Sequence, residues 1–333
     1  MQCYKPKRWN MFLVMILVIS VITASVGFYV FRAGSTAEAT LRFVSIVHRH
    51  GDRAPARSYP LDPYKDKSFW PDGLGALSQR GKIGLHRLGN FLRQRYDGFL
   101  SAKYSPSEIF VLSSFYDRCL MSASLVLAGL YPPAGLQLWN PDLKWQPIPV
   151  HTVPSSCDDE EEGLPLPEWA HSINRERLRS LSNIGVFKHF ATPALNKLKS
   201  GVLINEILRN MKLKASAREK FERQMNLYSG HETTICNIWR GLNITSDNER
   251  LYPSYGATLM IELHEINGKY RVKILFKRSH LDDDLIVLKT EGCKDSQGKE
   301  TDSMCDLDSF SSALQHVIID NFDKACEIPK EQT

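Results

Sequence analysis

The sequence predicts an α/β fold in which a mixed central sheet is flanked by helices. Short apolar runs with strand character alternate along the chain with longer segments whose apolar residues recur at helical spacing. Two of the runs stop at glycine-bearing loops, at 48–51 and 230–231. The end of a strand is where α/β proteins place their ligand sites. The 333 residues suffice for one large domain or two smaller ones.

The boundaries of the individual elements follow from local patterns. Strands are predicted where short apolar runs lie between turn residues, at 41–47, 109–112 and 226–229. Helices are predicted where apolar residues recur at helical spacing, over 77–100 and 117–130. Strands at 258–263 and 270–276 flank Asn267-Gly268, a dipeptide typical of a tight turn, and are predicted to form a hairpin.

The middle of the chain differs in composition from both flanks. An acidic run at 158–162 and two prolines precede basic segments with helical character between 174 and 223. The acidic run is interpreted as a solvated loop, because like charges repel one another and need water. We interpret residues 155–225 as a helical insertion between two halves of a sheet domain that occupies residues 40–333.

The first 39 residues predict export of the remainder. Lys5, Lys7 and Arg8 precede an uncharged, mostly apolar run at 11–31, and a run of about 20 residues is long enough to cross a bilayer. Small residues around Ala37 offer a cleavage site to a signal peptidase. Residues 1–39 are therefore either a signal peptide or an N-terminal transmembrane anchor. In both cases the rest is predicted to be extracellular or lumenal, with membrane contact confined to the N-terminal segment.

Charge and cysteine content exclude several classes of protein. The net charge of +5 lies partly in the N-terminal segment, and no long basic run with interleaved aromatics occurs. No nucleic-acid partner is therefore predicted. Six of the seven cysteines follow the apolar run and are expected in an oxidising compartment, where disulfides form. Their spacing does not match a zinc finger, so no metal site is predicted.

The segment 49–55 carries the clearest chemical signal. It reads Arg-His-Gly-Asp-Arg-Ala-Pro. Arg49 and Arg53 provide planar, permanently charged guanidinium groups that suit phosphate oxygens. His50 lies between them and supplies a nitrogen that is partly neutral at mildly acid pH and hence nucleophilic. Gly51 lets the backbone approach a ligand closely, so we interpret the segment as a site for phosphate chemistry.

The form RHGxRxP is the signature of the histidine acid phosphatases, and the sequence resembles that family over most of residues 40–333. Further blocks that resemble the family lie at 70–81, 116–133, 145–154, 201–207 and 228–234. The sequences at 113–118 and 229–232 look most like those of insect venom acid phosphatases. The resemblance implies the histidine phosphatase fold, a mixed sheet flanked by helices with a helical insertion that is shortened here.

The resemblance also implies a mechanism and its residues. The motif's histidine becomes a phosphohistidine in that family, so His50 is expected to be the nucleophile of a phosphomonoester hydrolase, with Arg49 and Arg53 gripping the phosphate. The family's later His-Asp pair maps to His231, expected to touch the phosphate, and Glu232, expected to protonate the leaving oxygen. No metal and no cofactor is implied, and the substrate is a small phosphomonoester or a phosphoprotein. The natural substrate and the oligomeric state stay open, a homodimer included.

Cysteine pairing and glycosylation complete the expectations. The resemblance implies a local and a long-range disulfide, Cys293–Cys305 and Cys157–Cys326. Cys119 and Cys236 have no evident family partner and are expected to be buried thiols. Asn243-Ile244-Thr245 is a glycosylation sequon, so Asn243 is predicted to carry a glycan in an exported chain.

Two departures from the family favour an alternative, an inactive member that acts as a secreted or surface binding protein. Most relatives have an arginine where this chain has Leu112, so a third phosphate ligand is expected to be missing. The chain between Pro154 and Leu166 is much shorter than in relatives, which implies an open site or an incomplete gene model. A third departure, Glu232 in place of aspartate, requires the proton-donating geometry to be rebuilt. The five site residues are nevertheless present, so hydrolysis is the favoured prediction.

Overall fold

The computed structural model describes residues 37–58, 62–152, 192–217, 220–245, 253–293 and 304–319. Within these ranges the strands are β1 (Leu41–Arg49), β2 (Ile109–Ser113), β3 (His151–Thr152), β4 (Met225–Gly230), β5 (Ile244–Thr245), β6 (Thr258–Ile266), β7 (Lys269–Lys277), β8 (Ile286–Thr290) and β9 (Cys305–Asp306). They form one sheet in the order β3-β2-β4-β1-β6-β7-β8-β5, and β9 pairs with β7.

The sheet has a parallel and an antiparallel half. β3, β2, β4 and β1 are parallel to their neighbours. The pairs β1–β6, β6–β7, β7–β8 and β8–β5 are antiparallel. This arrangement confirms the mixed central sheet that the sequence predicts.

Helices cover both faces of the sheet. The α-helices are α1 (Gln79–Arg95), α2 (Asp117–Leu130), α3 (Pro193–Ala217), α4 (Glu232–Gly241) and α5 (Leu307–Ala313). One apolar cluster packs α1 and α2 against one face, and a second cluster packs α3, α4 and α5 against the other. The fold therefore has three layers with the sheet in the middle.

The central strand β1 shows why its sequence is a nearly continuous apolar run. Phe43 and Val47 belong to the cluster under α3 and α4, whereas Val44 and Ile46 belong to the cluster under α1 and α2. All four side chains are fully buried. Successive side chains of a strand point to opposite faces, so a strand covered on both sides needs apolar residues throughout.

The predicted boundaries hold closely except at α1. Helix α2 spans the predicted 117–130, and β6 and β7 form the predicted hairpin. The prediction of a helix over 77–100 is too long at both ends. Ser78 caps α1 by accepting a hydrogen bond from the Gly81 N–H at 3.1 Å, and the helix ends at its C-cap Tyr96, two residues before a turn at Gly98, which has φ +82°.

The cysteines of the described ranges behave as expected. Cys293 and Cys305 form a disulfide, and Cys119 and Cys236 are buried free thiols. Both members of the expected pair Cys157–Cys326 lie outside the described residues.

Two expectations about larger segments fall mainly outside the described ranges. The described residues contain no helix long and apolar enough to cross a membrane, and residues 1–36, which include the apolar run, are outside them. Of the predicted insertion at 155–225, the structure describes 192–217 and 220–225, which comprise α3 and the first residue of β4. The shortening of the insertion stays a prediction.

Candidate active site

The ends of three neighbouring parallel strands bring the site together. β1 pairs with β4 so that Arg49 lies opposite Gly230, and β2 pairs with β4 so that Ser113 lies opposite Ser229. The next residue of each strand therefore reaches the same edge of the sheet, which is where α/β folds place their ligand sites. These three residues are His50 after β1, Ser114 after β2 and His231 after β4.

Close contact with two helices fixes the loop after β1. The Gly51 N–H donates to Ser122 Oγ on α2 at 3.2 Å. A Cβ on Gly51 would lie 2.8 Å from Cδ1 of Leu85 on α1, and a Cβ on Gly81 would collide with the Asp52 carbonyl. Both glycines are thus required by close approach of the loop to helix α1.

His50 is held in one tautomer with its other nitrogen available. Its Nδ1 lies 2.9 Å from the Gly51 carbonyl, which can only accept a hydrogen bond, so Nδ1 carries the proton. The lone pair is then on Nε2. Burial lowers the pKa of His50 from 6.5 to about 2, and the nearby charges of Arg49, His231 and Arg118 act in the same direction. The imidazole is therefore neutral at acid pH and is chemically able to act as a nucleophile.

His231 faces His50 across the site. The two ring centroids are 5.5 Å apart and the rings are inclined by 72°. Nε2 of His231 lies 3.0 Å from Ser114 Oγ, and the thiol of Cys119 is 3.6 Å from the same nitrogen. Burial lowers the pKa of His231 from 6.5 to about 4, with the positive charge of Arg118 as the next cause.

Arg49 and Glu232 form an ion pair at the edge of this pair of histidines. Nε of Arg49 is 2.8 Å from Oε2 of Glu232, and Nη1 of Arg49 donates to the Pro253 carbonyl at 2.8 Å. The Arg49 side chain is 6% exposed and the Glu232 side chain is 25% exposed. Glu232 is the first residue of α4, so it also lies at the positive end of the helix dipole. The carboxyl group of Glu232 is thus partly open to solvent.

Two further guanidinium groups complete the positive charge of the site. Arg53 is partly buried and donates from Nη1 to the Ala54 carbonyl at 3.0 Å. Arg118, in the first turn of α2, is 9% exposed. The Tyr116 ring lies 4.3 Å from Cζ of Arg118 and 5.5 Å from the His231 ring, and the charge of Arg118 lowers the pKa of both His50 and His231. The structure thus assembles five predicted residues, Arg49, His50, Arg53, His231 and Glu232, and adds Arg118.

The expectation that a third cation is missing because of Leu112 is wrong. Leu112 is partly buried and packs against the apolar cluster under α3 and α4. Its strand neighbours are Tyr228 and His151. Arg118 supplies the third guanidinium from the start of α2 instead. The sequence carried a signal for it, since Asp117-Arg118 lies in a block that resembles the family, and Asp117 comes five residues after the end of the predicted strand 109–112.

Residues 40–166 and 167–277 match the family described as the histidine phosphatase superfamily, branch 2. The chain belongs to this superfamily. Prostatic acid phosphatase of Bos taurus is 30% identical over 362 residues, which cover 89% of this chain and 90% of the bovine protein. Lysosomal acid phosphatase of Homo sapiens is 29% identical, over 88% of this chain and 82% of the human protein.

Solved structures show that this histidine phosphatase shares its fold with bacterial enzymes. The phytase from Hafnia alvei superimposes with a TM-score of 0.63 at 17% identity, over 88% of this chain and all of the phytase. The phytase from Citrobacter braakii gives a TM-score of 0.61 at 18% identity, over 84% of this chain and 98% of the phytase. At this identity the likeness shows the fold alone.

The alignment with the bovine protein contains gaps in this chain. The alignment with the bovine protein extends over 362 residues, more than the 333 of the whole chain. The bovine protein therefore carries residues that have no counterpart in this histidine phosphatase. The match to the superfamily breaks between residues 166 and 167, inside the predicted insertion.

Proposed function

We propose that this histidine phosphatase hydrolyses phosphomonoesters in two steps through a phosphohistidine on His50. The observation that carries the proposal is the contact of His50 Nδ1 with the Gly51 carbonyl at 2.9 Å, which leaves the lone pair on Nε2. The positive charges of Arg49 and Arg118 act on the same ring and lower its pKa. Membership of the superfamily supports the same chemistry.

In the first step Nε2 of His50 attacks phosphorus and the bond to the ester oxygen breaks. The guanidinium groups of Arg49, Arg53 and Arg118 neutralise the phosphoryl oxygens, which lowers the barrier by electrostatic stabilisation. His231 donates a hydrogen bond to the phosphoryl group. Glu232 transfers its proton to the departing oxygen, since an alkoxide is a poor leaving group.

In the second step water attacks the phosphohistidine. The carboxylate of Glu232 takes a proton from this water, and the bond between phosphorus and Nε2 breaks. Inorganic phosphate leaves, and His50 returns to its neutral state. Atoms and charge balance over the cycle, since the proton that Glu232 gives in the first step returns in the second.

Trapping the phosphoenzyme tests the proposal. An aryl phosphate labelled at phosphorus is mixed with the enzyme and quenched within the first turnover, and the label should stay on the protein with the acid-labile, alkali-stable behaviour of a phosphohistidine. His50→Ala should neither label nor turn over. His86→Ala, on the exposed face of α1, is the matched control and should label normally. Turnover by the His50→Ala variant near the wild-type rate would refute the assignment.

Independence from metal ions is a second part of the proposal. The described residues contain no group of three or more His, Cys, Asp or Glu placed to hold a metal ion. Charge neutralisation is assigned to the arginines. Activity should therefore survive chelation with EDTA, and loss of activity that zinc or magnesium restores would contradict this part.

Export and glycosylation are the third part of the proposal. The disulfide Cys293–Cys305 supports an oxidising compartment, and Asn243 is exposed with φ +47° just after α4. We propose that the chain enters the secretory pathway, with residues 1–39 as a signal peptide or anchor, and carries a glycan on Asn243. Expression in insect cells followed by glycosidase treatment should reveal a mobility shift that Asn243→Gln abolishes. N-terminal sequencing of the same material tests whether residues 1–39 are cleaved off. Sedimentation tests whether the protein forms a homodimer.

The position of Arg118 weakens the alternative, in which the chain is an inactive binding protein. The missing third cation favoured it, and Arg118 fills that role. Hydrolysis of an aryl phosphate by the purified chain decides between the two functions.

A further inference from the structure

Two tyrosine rings border the site in matching ways. The ring centroid of Tyr255 lies 4.2 Å from Cζ of Arg49 and 5.6 Å from the ring centroid of His50. On the other side, the Tyr116 ring lies 4.3 Å from Cζ of Arg118 and 5.5 Å from the His231 ring. Each tyrosine therefore contacts one guanidinium and one imidazole, and the two sets share no residue.

A ring face is a distinctive partner for an arginine that must also bind phosphate. A carboxylate or carbonyl holds a guanidinium through its N–H groups and so competes with the phosphate oxygens for them. An aromatic face attracts the cation through the ring quadrupole and uses no N–H donor. This matters for Arg49, because Nε already pairs with Glu232 and Nη1 with the Pro253 carbonyl. The ring of Tyr255 restrains the guanidinium without using a further donor.

The backbone around Tyr255 fixes that ring against the end of β1. The Gly256 N–H donates to the His50 carbonyl at 3.2 Å, and the Arg49 N–H donates to the Ala257 carbonyl at 2.9 Å. His280 holds the turn from outside, with Nδ1 at 3.1 Å from the Tyr255 carbonyl. The residues that carry the proposed chemistry are thus bound to the Tyr255 segment through backbone and side chain together.

Tyr116 is fixed by its place at the start of α2. It is the N-cap residue of that helix, and its carbonyl accepts hydrogen bonds from the Cys119 and Leu120 N–H groups at 2.8 and 3.1 Å. Arg118 follows two residues later, in the first turn of the same helix. The start of α2 therefore sets both the ring and the guanidinium that it contacts.

We propose that Tyr255 and Tyr116 are positioning residues whose ring faces hold the guanidinium groups of Arg49 and Arg118 in place for the phosphate. This inference rests on the proposed function. The hydroxyl groups are not needed for it; the aromatic faces are. Leucine has a comparable apolar character without a ring face, whereas phenylalanine keeps the ring.

Phosphate affinity and turnover of single variants test the inference. Tyr255→Leu and Tyr116→Leu should each weaken binding of inorganic phosphate, measured by calorimetry, by roughly 3- to 10-fold, the size expected when a partly desolvated cation–π contact is lost. They should lower kcat more than they raise KM, because a mobile guanidinium stabilises the transition state least well. Tyr255→Phe and Tyr116→Phe should restore both quantities to within about twofold of wild type, since the face remains.

A double-mutant cycle separates positioning from a structural role. Once Arg49→Met has removed the cation, Tyr255→Leu should weaken phosphate binding no further. Three outcomes would each overturn the inference. Tyr255→Leu could weaken phosphate binding equally with and without Arg49, the phenylalanine variants could bind phosphate as weakly as the leucine variants, or the leucine variants could bind it like wild type. The thermal midpoint identifies a variant that folds poorly, and the other tyrosine then provides the test.

The design distinguishes this inference from the proposed function. Calorimetry of phosphate binding needs no turnover, whereas labelling of His50 does. If the wild-type enzyme labels and the leucine variants bind phosphate normally, the positioning role fails and the function stands. If the wild type never labels, the proposed function fails, and the phosphate affinities still decide whether the rings hold the arginines.

Discussion

Oε2 of Glu232 lies 2.8 Å from Nε of Arg49, so the proposed proton donor and a proposed phosphate ligand are paired before substrate arrives. Binding of the phosphate places a competing anion beside Arg49. A phosphate that binds Arg49 therefore competes with Glu232 for the same guanidinium group and lies beside that carboxyl group.

Glu232→Gln should separate substrates by their leaving group. Loss of the proton donor should reduce kcat for an alkyl phosphate by roughly 10²- to 10⁴-fold and should affect a nitrophenyl phosphate far less in the first step, because nitrophenolate leaves without a proton. Labelled phosphoenzyme should then accumulate, because its hydrolysis also needs the carboxylate. Glu232→Asp is the matched control, since it keeps the acid and shortens its reach. Equal losses for alkyl and aryl phosphates would exclude Glu232 as the donor.

Activity at acid pH should not be limited by protonation of the nucleophile. Burial lowers the pKa of His50 to about 2, so the imidazole stays neutral throughout the mildly acid range. The rate constant kcat/KM for an aryl phosphate should therefore not fall between about pH 7 and pH 5 through loss of neutral His50. A steep acid limb near pH 6 that shifts in a variant such as Arg118→Met would show that His50 titrates there.

The lowered pKa of His231 should make the folded state less stable in acid. His231 has a folded-state pKa of about 4, whereas the unfolded chain takes up the proton near its ordinary value of about 6.5. The unfolded state then binds more protons in this interval, so the free energy of unfolding should decrease as pH falls from about 6.5 to about 4. Each pKa unit corresponds to about 1.4 kcal/mol. His231→Gln should lose less stability over the same interval, measured by denaturant titration, and an equal pH slope would contradict the prediction.

Arg118 should contribute directly to phosphate binding. Arg118→Met removes a charged donor, and inhibition by inorganic phosphate should weaken by roughly 10- to 100-fold, corresponding to the 1.5–3 kcal/mol of a charged hydrogen bond. Arg118→Lys should retain part of the affinity, because it keeps the charge without the planar fork. The exposed Arg87 on α1 serves as control, and Arg87→Met should leave the inhibition constant unchanged. Equal inhibition of Arg118→Met and wild type would exclude Arg118 as a ligand.

The site was only partly predictable because its members are far apart in the sequence. His50 and His231 follow strands that the apolar pattern reveals, and strand ends meet at one edge of a parallel sheet. Arg118 follows a third such strand, but it is also a residue type that commonly lies on a helix surface. Its approach to the histidines depends on how α2 packs against the sheet, and no local pattern encodes that packing.

Buried polar contacts at the opposite end of the sheet illustrate a second limit. Glu262 is 1% exposed, and its Oε1 accepts hydrogen bonds from Arg95 at 2.7 Å and from the Tyr96 hydroxyl at 2.9 Å. Burial alone would raise the pKa of Glu262, but the His264, Arg95 and Tyr96 contacts outweigh it and lower the pKa. A strand pattern shows that position 262 lies on a buried face, whereas the partner that makes a charge tolerable there comes from a helix more than 160 residues earlier.

Leu112→Arg should destabilise the protein without improving phosphate binding. Leu112 packs against the apolar cluster under α3 and α4, so a guanidinium at this position lies against apolar side chains. The thermal midpoint should fall, by an amount corresponding to about 1–3 kcal/mol for a poorly solvated polar group, and less if the side chain extends to the surface. Inhibition by inorganic phosphate should stay as in wild type, because Arg118 already provides the third guanidinium. Leu112→Met, which conserves volume, should change neither quantity by much. Tighter phosphate inhibition of Leu112→Arg at an unchanged midpoint would show that residue 112 does face the phosphate.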